Sequence, residues 1–153
     1  MRELLFGEGS GAPPASKGPA TTKSAILVEN PAHLSVLVVD DEPLIRWSLK
    51  KGLTKRGHDV VEAQSAFEAL ESIGADQDRF GVVILDYRLP DRQDLSLLAD
   101  VRRRLPRATV VMMTAFGDAD MRAEALALGA RAVVDKPFQV SQLIALIESP
   151  TIN

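Results

Sequence analysis

Five short runs of aliphatic residues recur along this chain, and each is followed by a segment with the spacing of an amphipathic helix. Three of the runs, at residues 36–39, 82–85 and 110–113, are rich in valine or methionine and almost wholly apolar. Runs that are too short for a lone helix and apolar throughout are typical of strands buried on both faces, as in a parallel sheet. Weaker runs at residues 59–63 and 132–134 complete the set.

The segments between the runs carry apolar residues three or four positions apart, which predicts helices. Ser65 and Asp118 are predicted N-caps, and Gly57, Gly74 and Gly129 are predicted stops. Five strand–helix units in succession predict an α/β domain with a doubly wound five-stranded parallel sheet and helices on both faces. The predicted apolar stripes are Ile45, Leu49, Leu53; Ala66, Phe67, Leu70, Ile73; Leu95, Leu98, Val101, Leu105; Met121, Ala125, Leu128; and Val140, Leu143, Ile144, Ile147.

The regular pattern occupies only part of the chain. Residues 1–33 are rich in glycine and proline, a composition that buries too little apolar surface to offset the entropy of ordering, so we predict a flexible tail. Residues 34–149 form the predicted folded domain, and residues 150–153 a short C-terminal tail. Both a stand-alone domain and a domain of a longer protein are consistent with this pattern.

Composition narrows the function further. The chain has no cysteine, which excludes disulfides, thiolate catalysis and zinc–thiolate sites. Its net charge of −3 gives no general attraction to nucleic acid or to an anionic membrane, and we predict neither as a partner. We interpret the basic run at residues 102–107 as a solvated helix end. Apolar runs of membrane-spanning length and a secretory signal are both missing, so we predict a cytoplasmic location.

Reactive side chains follow four of the five predicted strands. Three consecutive acids follow the first strand, Asp86 ends the third, Thr114 ends the fourth, and Lys136 follows the fifth. Ligands bind outside the carboxyl ends of strands in open parallel sheets, so these groups are predicted to converge. The three acids are Asp40, Asp41 and Glu42.

One reaction uses every residue type in this group. Clustered carboxylates repel each other unless they share a cation, and magnesium accepts a few carboxylates while leaving room for a phosphate oxygen. A carboxylate can also be a nucleophile that forms an acyl phosphate, while a hydroxyl and a lysine neutralise the transferred group. Singly, each residue is more often a cap or a surface charge. Their occurrence at four strand ends favours a phosphoryl-transfer site.

Four segments carry a resemblance to a known family: VLVVDDEPLIR, VVILDYRLPD, VVMMTAFGD and ALGARAVVDKPF. Through them, residues 34–149 resemble the receiver domains of response regulators in two-component signalling. The segment DDEPLIRWSL is most similar to receivers of bacterial enhancer-binding activators. The resemblance implies a flavodoxin-like (βα)5 fold with strand order 2-1-3-4-5.

The resemblance also implies a metal site for Mg²⁺. Asp41 would be the direct ligand from the acidic pair, and Asp40 would act largely through water. The Asp86 carboxylate and the backbone carbonyl of Arg88 would complete the protein's ligands.

For the reaction itself, the resemblance makes Asp86 the phosphoacceptor. Thr114 is implied to move its hydroxyl toward the phosphoryl group, and Lys136 to pair with a phosphoryl oxygen. The peptide bond between Lys136 and Pro137 is implied to be cis, which is uncommon even before proline.

The implied partner is a histidine kinase or a histidine phosphotransfer protein. Such a domain is not an enzyme toward other substrates and catalyses only its own phosphorylation and dephosphorylation. Phosphorylation is expected to change partner binding at the face formed by the fourth helix and fifth strand, which also suits a homodimer.

Two alternatives stay open on the sequence. A phosphohydrolase uses the same chemistry, but it places its nucleophile after the first strand in an Asp–x–Asp pattern, whereas this chain has Asp–Asp–Glu there. A binding module that ignores phosphorylation is favoured by two departures from the family pattern. Val133 occupies a position that is often aromatic and changes rotamer, and Asp94 occupies a position that is often glycine.

Several other side chains lie near these motifs or invite a functional role. Arg88 and Phe116, each two residues beyond a site residue, are expected to overhang the pocket and affect attack by water. His33 and His58 are interpreted as ordinary surface histidines, and Trp47 as a partly buried packing residue.

Overall fold

The computed structural model describes residues 33–149, in which five strands and five helices alternate. The strands are β1 Ser35–Val39, β2 Asp59–Ala63, β3 Val82–Asp86, β4 Thr109–Thr114 and β5 Ala132–Asp135. The helices are α1 Pro43–Lys55, α2 Ala66–Ile73, α3 Ser96–Arg104, α4 Ala119–Ala127 and α5 Val140–Glu148. Every predicted strand is therefore confirmed to within one residue at either end.

All strand pairs are parallel, and the order across the sheet is β2-β1-β3-β4-β5, as predicted. Side chains alternate between the faces of each strand. On β1, Leu37 and Val39 pack into a core covered by α2, α3 and α4, while Val36 and Val38 pack into a second core covered by α1 and α5. The predicted doubly wound architecture is thus confirmed.

The residues predicted to cap and end the helices are also confirmed. Ser65 Oγ accepts a hydrogen bond from the Glu68 backbone N–H at 3.1 Å, and Asp118 Oδ1 accepts one from the Met121 N–H at 2.8 Å. Both predicted N-caps therefore satisfy donors that the first helical turn leaves free. Gly129 follows α4 with a φ of +107°, a left-handed conformation that favours glycine.

Three predicted packing residues lie instead on the surface. Trp47 is 57% exposed, Phe67 is 66% exposed and Leu128 is 38% exposed. Trp47 is two positions from both Ile45 and Leu49, which places it on the side of α1 opposite the buried stripe. Phe67 lies beside the stripe of α2, and Leu128 follows the last residue of α4. The opposite error concerns His58, which was interpreted as a surface residue and is buried.

The predicted tails lie outside the described residues, except for His33. Its Nδ1 lies 2.7 Å from the Gly57 carbonyl oxygen, next to the start of β2. None of the five helices within residues 33–149 combines the length and the apolar character that crossing a bilayer requires.

Candidate functional site

The carboxyl ends of β1, β3, β4 and β5 meet at an open cleft of about 590 Å³. Parallel pairing brings them together: Asp86 is in register with Met113, next to Thr114, and Thr114 is in register with Asp135, next to Lys136. Asp40 follows β1 and is fully buried beside the cleft. The predicted site residues are therefore neighbours in space. The cleft is lined by Asp41, Glu42, Ile45, Asp86, Arg88, Thr114, Ala115, Lys136 and Pro137.

Lys136 lies at the centre of this arrangement. Its Nζ is 2.9 Å from Asp40 Oδ2, 2.9 Å from Glu42 Oε1 and 3.3 Å from Asp86 Oδ1. Its backbone N–H donates to the Thr114 carbonyl at 2.8 Å, and the peptide bond to Pro137 is cis, as predicted. Burial opposes the charge, but hydrogen bonds with Asp40 and Glu42 hold the pKa of Lys136 above its ordinary value, so it stays a cation.

Burial and mutual repulsion disfavour the ionised form of the carboxylates. Burial, followed by the charge of Asp40, raises the pKa of Asp86 to about 6, although Lys136 and the Arg88 backbone N–H oppose the shift. Burial likewise raises the pKa of Asp40, whose Oδ1 accepts the Glu42 N–H at 2.8 Å. One ammonium therefore faces three carboxylates, which leaves the cluster with excess negative charge.

The acidic cluster fits a hard divalent cation. Asp40, Asp41 and Asp86 each offer a carboxylate oxygen, and these three oxygens lie within 4.8 Å of one another. Asp40 Oδ2 is buried, and it is paired with the Lys136 ammonium at 2.9 Å. A set of clustered carboxylate oxygens is what Mg²⁺ or Ca²⁺ would bind. The proposed roles of these side chains and of the Arg88 carbonyl stay predictions.

Thr114 is held in one position by the loop that follows β4. It is 2% exposed, and its Oγ1 accepts the Phe116 backbone N–H at 3.2 Å. A Cβ on Gly117 would lie 2.7 Å from Thr114 Cγ2, so even alanine there would displace the threonine. The Phe116 side chain is largely exposed and is not among the residues that line the cleft.

Val133 and Asp94, the two departures from the family pattern, each make defined contacts. Val133 is half-buried against the core, and its carbonyl accepts a hydrogen bond from Arg122 on α4. The same arginine pairs with Asp135, so a polar link joins α4 to β5. Asp94 accepts hydrogen bonds from the backbone N–H and hydroxyl of Ser96, at 2.9 and 2.6 Å.

Two contacts of the site were not predicted. Glu42 was identified as part of the acidic run, but its ion pair with Lys136 was not expected. Arg46 on α1 donates to the Asp40 carbonyl at 2.7 Å and so fixes the end of β1. The arginine lies within the motif VLVVDDEPLIR, but nothing in its spacing indicates a hydrogen bond to the Asp40 carbonyl.

Comparisons with known proteins agree with this geometry. The family model described as "Response regulator receiver domain" matches residues 36–148. The DNA-binding transcriptional regulator NtrC of Proteus hauseri is 35% identical over 114 residues, which cover 74% of this chain and 24% of that protein. The transcriptional regulatory protein KdpE of Mycobacterium tuberculosis is 37% identical over 114 residues, covering 74% and 49%. The chain thus spans about a quarter to a half of these curated relatives.

Solved structures show the same likeness. A response regulator from Burkholderia pseudomallei, crystallised with a phosphorylated aspartic acid, a calcium ion and citrate, is 29% identical with a TM-score of 0.68, covering 75% of this chain and 66% of that one. NtrX from Brucella abortus in complex with ADP is 31% identical with a TM-score of 0.65, covering 75% and 25%.

Proposed function

Because the chain belongs to the response regulator receiver domain family, we propose that Asp86 accepts a phosphoryl group in a two-component phosphorelay. The donor would be the phosphohistidine of a histidine kinase or of a histidine phosphotransfer protein, in the cytoplasm. The observation that carries the proposal is the convergence of Asp86 and the cluster around Lys136 at the carboxyl edge of the sheet.

The chemical step follows from this geometry. A carboxylate oxygen of Asp86 attacks the phosphorus in line, and a P–O bond forms as the P–N bond of the phosphohistidine breaks. The imidazole leaves with the bonding electron pair and takes up a proton. The Lys136 ammonium, 3.3 Å from Asp86 Oδ1, orients the nucleophile and then pairs with a phosphoryl oxygen.

The chain's own acids prepare the site for a cation. Asp40, Asp41, Asp86 and the Arg88 carbonyl would hold Mg²⁺, which supplies neutralisation of the charge on the phosphoryl oxygens. The excess negative charge around Lys136 makes such binding favourable. The calcium ion in the Burkholderia pseudomallei structure supports a divalent cation at this type of site.

The signal is a shift between two conformations. Thr114 Oγ1 would leave the Phe116 N–H and bond the phosphoryl group, which moves the loop between β4 and α4. The face formed by α4 and β5 would then change its partners, including a second copy of this chain. The domain would catalyse only its own phosphorylation and dephosphorylation.

The first test is the intact-protein mass after incubation with acetyl phosphate and MgCl2. We expect one phosphoryl adduct on the wild type, and none on Asp86→Asn or without a divalent cation. Asp78→Asn, which removes an exposed carboxylate remote from the cleft, serves as the control and should be phosphorylated like the wild type.

The result separates the proposal from its competitors. A folded wild type that forms no adduct with acetyl phosphate or with a phosphorylated kinase would contradict the phosphoacceptor role and favour a phosphorylation-independent binding module. An adduct retained by Asp86→Asn would assign the phosphoryl group to a different residue. Sustained turnover of a small phosphate ester would indicate a phosphohydrolase.

A further inference from the structure

The loop between β3 and α3 is held at its tip by a helix from another part of the chain. Asp91 lies in this loop, and its two carboxylate oxygens each accept a backbone hydrogen bond from the start of α2. Oδ1 accepts from the Ala66 N–H at 2.9 Å, and Oδ2 accepts from the Phe67 N–H at 2.9 Å. A side chain some 25 positions away along the chain thus completes the capping of α2.

This contact is additional to the helix's own cap. Ser65 already satisfies the N–H of Glu68, so the first turn of α2 has one cap from its own sequence and a second from the loop. Partial burial opposes ionisation, yet the two N–H donors hold the pKa of Asp91 below its ordinary value. The carboxylate is therefore charged at neutral pH and interacts favourably with the positive end of the helix dipole.

Only a short turn separates Asp91 from the residues that line the cleft. Leu89 and Arg92 exchange backbone hydrogen bonds at 2.9 and 3.3 Å, which closes a tight turn around Asp91. Leu89 is buried in the core, and Arg88 lies between this turn and the end of β3. Arg88 lines the cleft together with Asp86 and directly precedes Leu89, so the position of the turn constrains the position of the Arg88 backbone.

We propose that Asp91 is a positioning residue for the metal site: by clamping the β3–α3 loop to α2, it fixes the Arg88 backbone relative to Asp86. The inference rests on the proposed function, because it concerns the carbonyl and N–H of Arg88 in the site that the function requires. Residues that orient metal ligands typically change metal affinity by about 10- to 100-fold when they are removed. Asp91 is expected to act in this way although it does not line the cleft.

The chain offers a matched pair of variants. Asp91→Ala removes the clamp together with two capping bonds of α2, whereas Ser65→Ala removes a capping bond of the same helix and leaves the loop untouched. Asp91→Asn retains one acceptor oxygen and is the conservative variant. All three are compared with the wild type by titration calorimetry with MgCl2, and by hydrogen exchange of residues 87–92 in EDTA. Thermal melting in EDTA verifies that each variant is folded.

We expect Asp91→Ala to raise the dissociation constant for Mg²⁺ about tenfold and to speed exchange of residues 87–92. Asp91→Asn should be intermediate, and Ser65→Ala should bind Mg²⁺ like the wild type. Equal weakening in Asp91→Ala and Ser65→Ala would overturn the proposal, because fraying of α2 would then be the cause, as would unchanged affinity in Asp91→Ala. A wild type that binds no Mg²⁺ would overturn the proposed function itself, and this role with it.

Discussion

Ionisable side chains are buried at both ends of the parallel strands: at their carboxyl ends, here called the carboxyl edge, and at their amino ends, here called the amino edge. The two places differ in how the charges are compensated. At the carboxyl edge, Lys136 is shared by Asp40, Glu42 and Asp86, and the pKa of Asp86 rises to about 6 because of burial and of its neighbour Asp40. At the amino edge, both oxygens of the Glu148 carboxylate have hydrogen-bond partners. The pKa of Glu148 therefore falls below its ordinary value, mainly through its hydrogen bonds with Arg56.

The amino-edge corner consists of Arg56, His58 and Glu148. The Leu34 N–H donates to His58 Nδ1 at 3.1 Å, so Nε2 carries the proton and donates to Glu148 Oε2 at 2.8 Å. Arg56 donates to both oxygens of Glu148, at 2.7 and 2.6 Å. This network joins the residue before β1 to the last residue of α5, and so it connects the two ends of the domain.

The amino-edge corner stabilises the fold, whereas the carboxyl edge gives up stability for function. Buried polar groups stabilise a fold only when their hydrogen bonds are satisfied, as at the amino-edge corner. The carboxyl edge keeps like charges buried and close together, which costs folding free energy. That cost is acceptable at a site where a cation and a phosphoryl group later supply the missing interactions.

The largest expected effect comes from removing the cation of the carboxyl edge. Lys136→Ala should slow phosphorylation of Asp86 by acetyl phosphate about 100-fold, since a lost electrostatic donor typically costs a factor of this order. The rate is measured as adduct formation by intact mass, at saturating MgCl2. Lys55→Ala, an exposed lysine at the end of α1, should leave the rate unchanged. A wild-type rate in Lys136→Ala would mean that Lys136 serves stability alone.

The next effect tests the amino-edge corner. Glu148→Ala should lower the free energy of unfolding by about 2 kcal/mol, because the buried His58 N–H loses its acceptor. Urea denaturation should give the same loss in EDTA and in MgCl2, since the corner lies at the opposite edge from the site. Glu124→Ala on the exposed face of α4 is the control. A loss that changed with MgCl2 would show that the two edges are coupled.

A smaller effect of opposite sign is expected at the carboxyl edge. Asp86→Asn should raise the free energy of unfolding by about 1 kcal/mol in EDTA, because it removes a buried charge that Asp40 repels. MgCl2 should stabilise the wild type through binding and shrink or reverse the difference. Urea denaturation in both conditions measures this, and a destabilised Asp86→Asn in EDTA would show that Lys136 compensates the cluster fully.

The same contrast explains what the sequence could predict. Asp40, Asp86, Thr114 and Lys136 were found because each follows a short apolar strand, and parallel pairing then places strand ends together without further information. The strand order, which also relied on the family resemblance, was predicted correctly. The cis peptide bond before Pro137 was predicted from that resemblance as well, with no local physical signal.

The amino-edge corner was missed because its contacts are far apart in sequence. His58 and Glu148 are 90 positions apart, and nothing near either residue indicates the other. The contact between Asp91 and α2 also joins residues that are far apart in sequence. Ser65 already explains the start of that helix, so nothing in the sequence indicates a second cap. Phe67 belongs to the predicted apolar stripe of α2, but only the packed structure shows how far the core extends around that helix.

The smallest effect concerns the exposed end of the amino edge, where His33 faces two acceptors. Its Nδ1 is 2.7 Å from the Gly57 carbonyl and its Nε2 is 2.9 Å from Asp59 Oδ2, so both nitrogens donate only when the ring is protonated. The hydrogen bond with Asp59 raises the pKa of His33 above its ordinary value.

A raised histidine pKa stabilises the fold fully below the unfolded-state pKa, about 6.5, and the stabilisation is lost as pH rises through the folded-state value. The melting temperature of the wild type should therefore exceed that of His33→Ala slightly at pH 5, and the gap should close by pH 9. An NMR titration of the imidazole should give a pKa above 6.5, which Asp59→Asn lowers. A gap that widens with pH would mean that the neutral ring of His33 is the form held in the folded state.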